Sequence, residues 1–141
     1  MKRLLRRWSE LTALERMLLR RAVAASIVAR IALVVLPWKR LVERKAPAAY
    51  AARTALPESA AIALVRWATC VCARRVPFQT CLTSALVARE LLGRLGVQST
   101  LDVGTYLDER GAVAFHAAVT SGGMTICGER PMTVMASFAS S

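Results

Sequence analysis

The chain has 141 residues, 55% of them hydrophobic and 21% charged, which excludes a disordered polymer and suffices for one domain with a helical extension. Its 20 Lys and Arg against 9 Asp and Glu leave a net charge of +11, an excess that favours anionic partners such as a phospholipid surface, an acidic peptide or nucleic acid. Aromatic residues make up only 6% and no nucleic-acid motif is present, so a nucleic-acid binder is disfavoured.

The basic bias starts early, in "MKRLLRRW", "LLRR" and "WKRLVERK". The opening segment lacks an apolar run and a small-residue cleavage site, so no cleavable signal peptide is expected. The expected compartment is the reducing cytoplasm, where Cys70, Cys72, Cys81 and Cys127 stay free thiols. Thr12 and Glu15 have capping-box spacing, and Leu14, Met17, Leu18, Val23 and Ile27 follow near one helical face until Pro37 ends the run. The apolar stretch from Ala22 to Pro37 is interrupted by Arg30 and is too short for a spanning helix, so it reads as a buried or membrane-surface helix.

A connector with Pro47 and Pro57 as breakers leads to a second helix, "ESAAIALVRWATCVCARR", which stops at Val76-Pro77. Its Cys-Val-Cys looks like half of a zinc site, but a single histidine and no second cysteine pair argue against metal. A third helix begins near Cys81 and ends at Gly93 or Gly96. Beyond it the pattern alternates: "VQSTLDVGTYL", a turn at "LDERG", "AVAFHAAVT", a hairpin at Ser121-Gly122-Gly123, then short strands "MTIC" and "MTVMASF". Helices followed by an antiparallel meander give an α+β fold, with a helical region over residues 1–76 and a core over 77–141.

Among the four cysteines only Cys81 has a physical reason to react. A thiol attacks as thiolate, and the unpaired N–H groups of a helix N-terminus favour that charge. Cys70 and Cys72 lie late in their helix, where the dipole opposes ionisation. The only histidine, His116, is the base available to it, on the strand face opposite Phe115 and Ala117. A group to orient the imidazole comes from either neighbouring strand. A two-residue turn at Gly122-Gly123 sets Glu129 opposite His116, and a hairpin centred on Glu109 sets Asp102 there instead.

The segments "TCLTSALVARELLGRLGVQSTLDVGTY", "FHAAV", "GGMTICGE" and "ASF" together resemble the transglutaminase-like cysteine peptidases of lasso-peptide biosynthesis. "WSELTALERMLLRRA" and "VLPWKRL" resemble the helical extension of the stand-alone members. The resemblance implies a papain/transglutaminase-like core in which a Cys-bearing helix packs on a small sheet. It implies a leader peptidase without metal or organic cofactor, Cys81 as nucleophile and His116 as general base. The implied partners are the precursor peptide, a separate leader-recognition protein and an ATP-dependent lasso cyclase. Two departures stand out. Ala118 replaces the usual aromatic two residues after the histidine, and the family's acid spacing falls on Gly128, next to Glu129. The other reading is a weak or inactive relative that binds peptide as a scaffold for the synthetase.

Overall fold

A computed structural model describes residues 11–44 and 56–140. The first basic cluster and the connector around Pro47 lie outside them. Among the described residues, four helices, α1 (Ala13–Val35), α2 (Trp38–Val42), α3 (Glu58–Arg75) and α4 (Cys81–Arg94), precede four strands, β1 (Thr100–Leu107), β2 (Val113–Ser121), β3 (Met124–Cys127) and β4 (Thr133–Ala139). The fold is α+β, helices against a small antiparallel sheet.

Local chemistry sets the helix ends. Thr12 Oγ1 accepts from Glu15 N–H at 3.2 Å while Glu15 Oε2 accepts from Thr12 N–H at 2.7 Å, completing the capping box that starts α1. Pro57 precedes α3, where its missing donor costs nothing. Gly96, at φ +73°, ends α4. Val97 N–H reaches Leu92 O and Gly96 N–H reaches Gly93 O, each at 3.0 Å, satisfying carbonyls the helix leaves over.

The strand order is β3-β2-β1-β4, so the expected meander is corrected. The last strand crosses back to pair with β1, as in a Greek key. Gly104 permits this crossing, because a Cβ there would lie 2.9 Å from the carbonyl carbon of Thr133 and overlap its oxygen. The crossing is accompanied by a bulge between Val103 and Gly104.

One core joins helices and sheet. Leu18 and Ala22 of α1, Val65 and Ala68 of α3, and Val87, Leu91 and Leu92 of α4 share it with Leu101, Val119 and Ile126 of the sheet. Burying these side chains supplies the main driving force. The buried stripe of α1 is Leu18, Ala22, Ala25 and Ser26. Met17 and Ile27, expected on the core face, are exposed, because small residues allow α1 to approach α3 and α4 on that stripe instead. The short helix α2, which no sequence signal announced, is tied down by Arg89 of α4. That side chain is buried and donates Nη1 to the carbonyl of Val42.

Candidate active site

Cys81 is the first residue of α4. Thr80 is the N-cap, with Oγ1 accepting from Thr83 N–H at 3.2 Å and lying 2.8 Å from Thr83 Oγ1. The thiol is therefore at the helix mouth, half-buried, with α4 packed against β2 behind it. Its Sγ lies 4.0 Å from the carbonyl oxygen of Phe115, the residue preceding His116.

The sheet explains that approach. Asp108 N–H bonds Ala112 O and Gly111 N–H bonds Asp108 O, both at 2.9 Å, closing the β1–β2 hairpin. Alternation of hydrogen-bonded pairs makes Thr105–Phe115 a non-hydrogen-bonded pair, so Phe115 turns its carbonyl away from β1. β3 pairs with β2 only at Val119–Ser121, which leaves that edge open beside Phe115. The cysteine meets β2 at this unpaired edge.

His116 is 9% exposed, and its Nε2 is buried with no hydrogen-bond partner. A second orphan donor, Gln79 Nε2, lies two residues before Cys81. Buried polar atoms without partners cost about 1–3 kcal/mol each, and two of the four such atoms among the described residues flank the thiol in sequence or follow the residue it touches.

The register corrects the expected pairings. Gly104 stands opposite His116, and Asp102 stands opposite Ala118. Asp102 accepts from Ser137 Oγ at 2.5 Å, which gives an acid inside a strand the partner it needs. The Gly122-Gly123 turn, at φ +55° and +76°, forms as expected. A shift between Val119 and Thr120 then displaces β3, which ends at Cys127, so Glu129 does not face His116 in the sheet. Glu129 forms an exposed ion pair with Arg66 of α3. Gly128, where the resemblance would put an acid, is at φ +82°. A Cβ there would lie 2.8 Å from Ala118 Cα and overlap Ala117 O.

The imidazole has an aromatic neighbour that the sequence pattern did not reveal. Tyr106, diagonal to His116 across the β1–β2 pair, meets its ring edge-on at 5.7 Å and 79°. Arg130 lies over Tyr106 at 5.5 Å, within reach of a cation–π contact. Knowing the true hairpin closure would have revealed Tyr106, since Asp108 and Gly111 are turn-forming residues. Just before α4, Phe78 is 81% exposed at φ +61°, an unusual conformation for a bulky side chain.

Cys127 ends β3. Burial pushes its thiol up to about 12, with nearby Cys70 and Cys81 adding to the rise and a hydrogen bond with the Val119 backbone opposing it. Cys72 is buried 3.1 Å from Ser26 Oγ. Among the described residues no three His, Cys, Asp or Glu side chains converge as a metal site.

No curated protein matches the chain, and no solved structure does. A family model described as the transglutaminase-like superfamily matches residues 23–139. That span takes in most of α1 as well as α4, the His116 strand and the crossing to β4. With a cysteine at a helix mouth beside a histidine strand, the chain belongs to the transglutaminase-like superfamily.

Proposed function

We propose that this protein is a cysteine peptidase that removes the leader from a lasso-peptide precursor before macrocyclisation. The observation that carries the proposal is the position of Cys81 at the first turn of α4, 4.0 Å from the carbonyl of the residue before His116, whose buried Nε2 has no hydrogen-bond partner. The superfamily includes cysteine peptidases. The narrower assignment rests on the resemblance of the Cys81 helix, the "FHAAV" strand and the helical extension.

In this mechanism His116 takes the proton from Cys81 Sγ, and the thiolate attacks the scissile carbonyl carbon. The negative oxygen is met by donors at the helix start: the backbone N–H of Cys81 and the free Nε2 of Gln79. His116 passes its proton to the departing amine as the C–N bond breaks. Water, deprotonated by His116, then cleaves the thioester and regenerates the thiol. Tyr106 holds the ring that Asp102 does not reach. Glu129 would join this set only by leaving Arg66. Substrate reaches the site with a separate leader-recognition protein, and the released amine passes to an ATP-dependent lasso cyclase.

One observation favours a second reading. Asp102 and Glu129 are bonded to Ser137 and Arg66, and Gly128 holds no acid, which suits a relative that binds peptide as a scaffold without cutting it. The test is incubation of purified protein with a precursor peptide and its recognition partner, followed by mass spectrometry. Cleavage at the leader–core junction by the wild type, lost in Cys81→Ala and His116→Ala with unchanged circular dichroism, supports the peptidase. Binding without cleavage by the wild type supports the scaffold.

A further inference from the structure

The second half of α1 is half-buried along Ala29, Ala32 and Leu33 and exposed on its other side. Its buried residues end at Ser26, yet the helix continues for more than two turns through Ile27, Val28, Ile31, Val34 and Val35, all exposed. Val34 and Val35 are 85% and 72% exposed. At 100° per residue these side chains share one side of the helix, opposite the Leu18–Ala22–Ala25 stripe that packs on α3 and α4. Leu36 and Trp38 extend the patch past the Pro37 break. A contiguous apolar surface of this kind on a charged protein marks an interaction site.

Its surroundings identify the occupant. Exposed Lys39, Arg40 and Arg44 follow the patch, and Arg16 and Arg30 lie along α1. Glu15 and Glu43 are the only acids from residue 11 to 44, and the sequence ahead of α1 adds Lys2, Arg3, Arg6 and Arg7 against Glu10. A net charge of +11 makes a second copy of the chain a poor partner, since two such cationic surfaces repel. The patch is aliphatic and β-branched, whereas the energetic centres of protein interfaces are rich in Trp, Tyr and Arg. A tryptophan and basic residues at the margin of an aliphatic surface suit the boundary between acyl chains and anionic headgroups.

We infer that the Ile27–Trp38 segment docks on an anionic phospholipid surface, inserting its aliphatic side chains among the lipids while the flanking cations meet the headgroups. No helix among the described residues is long and apolar enough to cross a membrane, so the contact is with one leaflet. This inference does not depend on the peptidase reading.

The experiment is co-sedimentation of the full chain with phosphatidylcholine vesicles and with vesicles containing phosphatidylglycerol. The variants are Ile31→Glu/Val34→Glu, which changes two exposed positions, and Lys39→Ala/Arg40→Ala. The wild type is expected to pellet with the anionic vesicles and not the neutral ones. Each double variant should bind those vesicles about tenfold more weakly at unchanged circular dichroism. Equal binding by Ile31→Glu/Val34→Glu and wild type would reduce the contact to bulk charge and overturn the proposal. So would failure of the wild type to pellet. A wild-type dimer in sedimentation velocity that Ile31→Glu/Val34→Glu dissociates would assign the patch to a second copy, and an acidic protein that displaces the wild type from vesicles without itself binding lipid would assign it to a protein partner.

Discussion

Replacing Gly128 by alanine tests whether any side chain fits at the position where the resemblance would put an acid. Two costs apply there. The backbone is at φ +82°, where a residue with a Cβ is strained by about 1–2 kcal/mol. The new Cβ would also lie 2.8 Å from Ala118 Cα and 2.9 Å from Ala118 Cβ, and forcing backbone and core apart adds about 1–3 kcal/mol. Gly111 isolates the first cost, since its φ is +75° but an added methyl would meet nothing within 4 Å. Gly111→Ala should therefore cost about 1–2 kcal/mol and Gly128→Ala about 2–5 kcal/mol. With a urea slope of about 2 kcal/mol per molar for a domain of this size, a difference of about 2 kcal/mol separates the two midpoints by about 1 M. Urea titrations followed by circular dichroism measure both. A Gly128→Ala midpoint at or above that of Gly111→Ala would refute the close approach of Gly128 to Ala118, and with it the reason no acid occupies that place.

Other outcomes follow from the same geometry. On the proposed peptidase mechanism, Tyr106→Ala should lower kcat/KM about two- to twelvefold while Tyr106→Phe stays near wild type, because the edge-on ring contact is worth about 0.5–1.5 kcal/mol; equal rates for both variants would remove Tyr106 from the support of His116. Cys127 is raised from 9.0 to about 12 by burial, so its contribution to stability is complete below pH 9 and is lost as pH rises toward 12, when only the unfolded thiol ionises readily. Cys127→Ala should flatten that alkaline loss relative to wild type in urea titrations at about pH 8 and about pH 10.5. Arg89→Ala should destabilise by about 2–4 kcal/mol, by leaving Val42 O unpaired and opening space under α2, whereas Arg89→Met, which leaves the same carbonyl unpaired but fills the space, should cost less; the difference between the two in thermal melts reads the volume cost alone.

Much of the architecture was legible from residue order. The Thr12–Glu15 box, Pro57, Thr80 and Gly96 each act within one or two turns, and the hairpin glycines dictate their turns through backbone freedom alone. The α+β class and a cysteine at the start of α4 followed from such local signals. The register at His116 did not. It depends on how the Asp108–Gly111 turn closes, and a turn one residue longer or shorter changes which side chain stands opposite.

What residue order determined by itself is therefore local: where helices begin and end, which thiol meets a helix N-terminus, and which segments alternate as strands. Tertiary structure alone decided that β4 crosses back to β1, that Gly104 rather than an acid faces His116, that Glu129 goes to Arg66, and that the second half of α1 lies outside the core. The physical reason is range. Caps and turns are settled by groups a few bonds apart, whereas pairing partners and exposed faces are chosen by packing among segments distant in the chain, where only the assembled core sets the balance.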